Sequence, residues 1–200
     1  MALIGLSGYA RSGKDTLAAK LVERYRYRRV SFADKVKELA LLLYPDVAAA
    51  VGDRGWEEAK QQPEVRQRLQ AIGEGVRNVL GEDVWVSAAL QPLDALTVVS
   101  DVRYPNEAAA IQARGGLVVR VERPGIGPVN GHVSESAMDN WPFDTYVKND
   151  GTIDDLDHAV DLLDALAHEV RTTRPKTAST AQLPGLSSRV GRGGTGVGRR

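Results

Sequence analysis

The stretch GLSGYARSGKDTLA, residues 5–18, carries the densest chemistry in the chain. Gly8 and Gly13-Lys14 stand at the spacing G-x-x-x-x-G-K. A loop that grips phosphate needs glycines, so that successive main-chain N–H groups converge on the oxygens without Cβ obstruction. It also needs a helix start whose partial positive charge faces the anion. The candidate phosphate-binding residues are therefore Gly8, Ala10, Arg11, Ser12, Gly13, Lys14, Asp15 and Thr16, with Lys14 reaching the β- and γ-phosphates of a nucleoside triphosphate. A glycine-rich turn with a surface lysine is the plain alternative, and the strand before and helix after the loop argue against it. Asp15 occupies the place where Ser or Thr is usual. A carboxylate is a harder, charged ligand that Mg²⁺ accepts directly or through water, and Thr16 still offers a hydroxyl. A second anion beside a triphosphate repels it unless a metal intervenes, so nucleotide binding should depend strongly on magnesium.

The elements that must position this loop are legible in the hydrophobic pattern. Ala2–Ser7 is a short apolar strand, and Asp15–Tyr25 places Leu17, Leu21 and Tyr25 on one helical face. Arg29–Phe32 reads as a second strand and Lys35–Leu43 as helix. Glu64–Leu80 carries a helical stripe of Val65, Leu69, Ile72, Val76 and Val79, stopped by Gly81. Leu96–Ser100, Leu117–Val121 and Thr145–Val147 read as strands, with helix over Asn106–Arg114. The last helix opens on Thr152 and Asp155 at capping-box spacing, and lines one face with Ile153, Leu156, Val160, Leu163, Leu166 and Val170. Strands separated by helices predict a mostly parallel sheet covered on both sides. Between Pro124 and Pro142 the polar, glycine-rich run predicts a loop or lid over about 124–143.

Composition narrows the function classes. With no cysteine, disulfides, thiolate metal sites and a cysteine nucleophile are excluded. The apolar stretch at the N-terminus is too short for a signal peptide or a membrane span, so the expectation is a cytoplasmic protein without membrane contact. The net charge of +0 conceals an asymmetry. Residues 173–200 contain 6 of the 26 basic residues and no acid, which leaves 20 against 26 acidic ones in residues 1–172. The Gly-, Ser- and Pro-rich tail lacks periodicity and is expected to be disordered. Non-specific attraction to nucleic acid is open to it, and a solvated extension is the blander reading.

Asp101 follows the strand LTVVS at its carboxyl end, where ligands of open α/β sheets gather. It could hold magnesium through water or orient an acceptor; capping the following segment is the structural alternative. Arg103 points to the same face in an extended chain. It could clamp a phosphate bidentately or form a surface ion pair with Glu107. Pro105, Asn106 and Glu107 read as a helix start with no chemical role. Trp85 and Tyr104 could stack on a base, but core packing is the default. His132 is the one histidine of the 124–143 run, and an exposed loop histidine is its simplest reading.

Seven segments appear in order: GLSGYARSGKDTLA, SFADKVKELA, LQAIGEGVRNVLGEDVWV, VVSDVRYPNEAAAI, RVERPG, HVSES and KNDGTIDDL. Together they resemble the deoxynucleoside monophosphate kinases of bacteriophages, part of the adenylate-kinase-like P-loop group, over about residues 1–172. GKDT is itself a feature of that family. The resemblance implies a three-layer α/β/α P-loop NTPase fold with a small lid, and transfer of the γ-phosphoryl group of ATP, with Mg²⁺, to a deoxynucleoside monophosphate. It also implies a homodimer, and a host-cytoplasmic location if the chain is phage-encoded. Lys14, Arg11 and Asp101 would be catalytic, with Asp15 and Asp101 at the metal. Arg77, in GEGVRNVLG, would bind the acceptor phosphate together with Arg103. Asp34 would lie near the acceptor's sugar or base, or simply cap its helix, and Lys35 near phosphate. Lids of such kinases carry arginines, yet residues 124–143 have none, so Arg11, Arg120 and Arg123 must supply the charge. Two other functions stay open: a P-loop kinase of another small acceptor such as dephospho-coenzyme A, and a non-catalytic nucleotide-binding regulator.

Overall fold

The computed structural model describes residues 2–91, 95–128 and 136–174. Five strands form one sheet in the order β2-β3-β1-β4-β5. They are β1 (Leu3–Ser7), β2 (Arg28–Val30), β3 (Thr97–Val99), β4 (Leu117–Glu122) and β5 (Thr145–Lys148). Every pairing is parallel; in the centre, Ile4 of β1 lies between Val98 of β3 and Leu117 of β4. A parallel sheet needs both faces covered, because its strands are linked by crossover helices that pack back onto it.

Helices α1 (Lys14–Tyr25) and α7 (Ile153–Thr173) cover one face. Leu17 and Leu21 of α1, with Leu156, Val160 and Leu163 of α7, pack on Ile4, Leu6, Val98, Val119 and Val121. Burying each such aliphatic side chain contributes about 1.5–3 kcal/mol. The opposite face, with Leu3, Val99 and Val118, receives α6 (Pro105–Ala113) through Ala108 and Ile111. It also receives Phe32 of α2 (Phe32–Leu43) and Val86 of α5 (Val84–Ala89). This is the expected three-layer α/β/α arrangement. Beyond the sheet, α2 and α5 join α3 (Pro45–Ala59) and α4 (Pro63–Leu80) around a separate core of Ala40, Val47, Val65, Ile72 and Trp85.

Several boundaries differ from those read in the sequence. The second strand stops at Val30, and Phe32 already belongs to α2. Neither α3, which bends at Gly55 (φ 75°), nor the short α5 was anticipated. The α4 stripe is cut short: Val65 and Ile72 are buried but Val79 is 80% exposed, because the last turn of α4 leaves the helical core. On α7, Thr152 and Asp155 do exchange capping bonds, Thr152 N donating to Asp155 Oδ2 at 2.7 Å and Asp155 N to Thr152 Oγ1 at 3.3 Å.

The 124–143 segment is not one loop. Met138 is 3% exposed within the core on the α6 face, and Trp141 and Phe143 pack beside it. Apolar side chains at the end of the segment anchor it to the sheet; 129–135, with His132, lies outside the described residues. The tail boundary shifts as well. Thr173 closes α7, and Arg174 donates to the Gly116 carbonyl at 2.6 Å and pairs with Asp144. The rest of the basic tail, 175–200, lies outside the described residues. No helix among the described residues is long and apolar enough to cross a membrane.

Candidate active site

The phosphate loop joins the carboxyl end of β1 to the start of α1. Its path depends on backbone conformations that side chains oppose: Gly8 has φ 137° and Gly13 φ 105°. A Cβ at Gly8 would lie 2.2 Å from the Val121 carbonyl oxygen, and one at Gly13 would lie 2.3 Å from Nδ2 of Asn149. Arg11 takes the left-handed conformation as well (φ 66°), a strained choice for a side-chain-bearing residue. The loop is held from outside by Asn149, whose Nδ2 donates to the Ser12 carbonyl at 2.9 Å while its own N–H donates to the Glu122 carbonyl at 2.7 Å. The Lys14 ammonium donates to the carbonyls of Gly8 (2.7 Å) and Tyr9 (2.6 Å). Ser12 Oγ is buried with no hydrogen-bond partner among the described residues.

Two sizeable cavities among the described residues border the loop. The larger, of about 520 Å³, is lined by Ala10, Arg11, Lys14 and Asp15 from the loop side, and by residues of α2, α4 and the end of β3. The smaller, of about 330 Å³, is lined by Tyr9, Ser12, Arg120, Arg123, Lys148 and Asp150 among others.

Asp101 and Arg103, from the connection after β3, and Arg77, from α4, all line the larger cavity. Asp101 is a cap, but of α2 rather than of the segment after it. Its carboxylate accepts from the N–H of Phe32 (2.9 Å) and Ala33 (3.0 Å) and from Ser31 Oγ (2.7 Å). Parallel pairing of β2 with β3 sets Val30 beside Val99, which brings the two strand ends together. Asp15 is exposed and holds Arg29 of β2 at 3.0 Å. Thr16 is exposed in the first turn of α1.

Arg77 donates to Glu107 Oε1 at 2.7 Å, and its guanidinium lies 3.9 Å from the centre of the Tyr104 ring. Glu107 thus pairs with Arg77; Arg103 contributes its main-chain N–H to Oε2 (2.8 Å), as Tyr104 does (3.1 Å). The Glu107 side chain is only 3% exposed. Burial pushes its carboxyl up to about 7, helped by repulsion from Asp101 and opposed by Arg77 and the two main-chain N–H groups. Trp85 is a core residue that donates its indole N–H to the Gly73 carbonyl at 3.0 Å while bordering the cavity.

Asp34 and Lys35 do not face this cavity. Because α2 starts at Phe32, its Ala33, Val36 and Lys37 share the inward face, at the i, i+3, i+4 spacing. Lys35 instead makes an exposed ion pair with Glu38 (2.7 Å), and Asp34 accepts from Lys37 (3.0 Å). The cavity's further cations, Arg29, Lys37, Lys60 and Arg66, were not singled out in the sequence, and neither were Glu107 and Asn149. Helical register after Ser31 would have pointed to Lys37. Nothing local marks Arg66, which only the packing of α4 against α2 brings inward.

Beside the smaller cavity, Arg120 is nearly buried, pairs with Asp139 at 3.0 Å and lies near the rings of Tyr9 (4.6 Å) and Phe143 (5.6 Å). Tyr9 donates its hydroxyl to the same Asp139 oxygen at 2.8 Å, a bond that raises its pKa. Arg120 therefore braces the loop through Tyr9 while also lining the smaller cavity, which Arg123 borders too.

A family model described as deoxynucleotide monophosphate kinase matches residues 53–160. A protein of Acanthamoeba polyphaga mimivirus, provisionally named a deoxynucleotide monophosphate kinase, is 29% identical over 180 residues, covering 78% of this chain and 92% of its own length. Among solved structures, TT1252 from Thermus thermophilus is similar with a TM-score of 0.44 and 18% identity, over 82% of this chain and 97% of that one. Shikimate kinase from Aquifex aeolicus gives a TM-score of 0.44 at 12% identity, over 86% and 99%. The family model alone spans more than half of the residues, and by that match this chain belongs to the deoxynucleotide monophosphate kinase family.

Proposed function

We propose that the protein transfers the γ-phosphoryl group of ATP to the 5′-phosphate of a deoxynucleoside monophosphate, giving the diphosphate and ADP. The observation that carries this reading is the phosphate loop set between two cavities, the larger of them rich in cations. The donor's base and sugar would occupy the smaller cavity, its triphosphate the loop, and the acceptor the larger one, so that attacking and leaving oxygens line up across Lys14. Phosphoryl transfer of this kind rests on positioning and charge neutralisation rather than on covalent catalysis. An acceptor phosphate oxygen is already a nucleophilic anion, so no general base is needed. Main-chain N–H groups of residues 9–16 and the Lys14 ammonium would take the β- and γ-phosphates, with Lys14 leaving the Gly8 and Tyr9 carbonyls to do so. Arg11, at the loop's exposed crest, would meet the transferring group, and Arg77 and Arg103 the acceptor phosphate.

No cluster of three or more metal-ligating side chains exists among the described residues. That suits Mg²⁺, which is commonly held by one or two carboxylates together with substrate phosphates and water. The exposed Asp15 carboxylate fits such a place, and Asp101, already committed to three donors, would act through water. The ion would neutralise charge on the phosphates. A coupled ADP-release assay with ATP and each deoxynucleoside monophosphate tests the reading. Acceptor-dependent turnover is expected; turnover with dephospho-coenzyme A instead, or nucleotide binding without turnover, would replace it.

A further inference from the structure

Two helices of this molecule begin with the same carboxylate device, and they differ in a telling way. At α7, Asp155 returns to the Thr152 N–H at the surface, with no arginine or lysine paired to it among the described residues. At α6, Glu107 returns to the N–H groups of Arg103 and Tyr104 but is buried, and its second oxygen is given to Arg77 from α4. Capping alone does not require burial, and burying a carboxylate is costly unless it is paired. What the burial achieves is a fixed guanidinium. An arginine side chain has rotamer entropy to lose when it binds an anion. Here that loss is incurred in folding, since Glu107 holds one end of Arg77 and the Tyr104 ring supports its face at 3.9 Å.

We propose that Glu107 is the positioning residue that presents Arg77 to the acceptor phosphate, with the Tyr104 ring as the surface on which the guanidinium rests. This deepens the proposed function and rests on its placing of the acceptor in the larger cavity. Glu107 acts by holding Arg77 in the one orientation in which the guanidinium's remaining N–H groups face the cavity. The groups facing the carboxylate are Arg77 from α4, Asp101 from the end of β3, and the N–H groups of Arg103 and Tyr104 from the intervening loop. As pH falls through the carboxyl's own titration near 7, a proton replaces the charge that Arg77 pairs with, and the hold on the guanidinium weakens.

Glu107→Gln keeps the shape and removes the charge, and it turns an NH₂ toward at least one of three donors. Calorimetry with each deoxynucleoside monophosphate, beside steady-state kinetics, should show the acceptor's Kd and KM raised about tenfold, with the KM of ATP changed less than twofold. In an Arg77→Ala background the same substitution should cost nothing further. The wild-type acceptor affinity should fall between pH 8 and 6 more steeply than that of Glu107→Gln. Equal rises in both KM values, full additivity with Arg77→Ala, or an unaltered pH profile would overturn the proposal. If Glu107→Gln does not fold, Tyr104→Leu replaces it: acceptor affinity about threefold weaker supports the arrangement, and unchanged affinity overturns it. A wild-type protein that binds deoxynucleotides but releases no ADP would remove the kinase reading while leaving these binding comparisons decisive. One that binds none would remove both.

Discussion

The phosphate loop and the wall of the larger cavity are built by opposite means. The loop is a single contiguous stretch whose binding groups are main-chain amides, fixed by the positive φ of Gly8, Arg11 and Gly13. The wall is assembled from the ends of β2 and β3 and from α2, α4 and α6, and the cations that line it are side chains such as Arg77, Arg103 and Lys37. A main-chain site resists most substitutions and fails when a Cβ is added at the wrong place. A side-chain site fails one residue at a time, and each of its members depends on a partner elsewhere.

Substitutions can sharpen or break that contrast. The largest effect is expected from Lys14→Ala, the one side chain on which the loop relies: turnover should fall about a thousandfold while far-UV circular dichroism stays native. Retained turnover would move the donor away from this loop. Next comes Gly8→Ala, which leaves every charge in place but drives a methyl to 2.2 Å from the Val121 carbonyl. Loss on the order of 3 kcal/mol of stability together with ATP binding, measured by denaturation and calorimetry, is expected; a neutral result would mean the loop's path is not fixed by its glycines. Asp101→Ala should remove the α2 cap, lowering stability by about 1–2 kcal/mol. A turnover loss beyond what the unfolded fraction explains would add a role at the metal. The smallest effect belongs to Lys35→Ala, within about 0.5 kcal/mol in stability and without change in the acceptor KM, whereas Lys37→Ala should raise that KM several-fold. The reverse result would mean α2 is rotated in solution.

The same contrast governs what could be read before the fold was known. Strands β1, β3 and β4 and helices α1 and α7 follow from apolar periodicity, and all lie in or against the central sheet. Helix α3 escaped because an alanine-rich stretch such as Val47–Val51 carries little periodic signal, and α5, at six residues, is too short to show one. Glu107 was read as part of a helix start. Its neighbours in sequence explain that role, but its burial and its arginine come from α4, thirty positions away. Arg174 was grouped with the tail by composition, yet Asp144 and the Gly116 carbonyl draw it into the body.

The sequence by itself determined the α/β alternation, the phosphate loop and the identity of Lys14, because each depends on contacts or φ angles within a few residues. Only the tertiary structure decided which cations face the larger cavity, which helix Asp101 caps, and that Arg77 is held by Glu107. Those facts turn on helix rotation and on the lateral order of parallel strands, and both are fixed by packing between segments far apart in the chain.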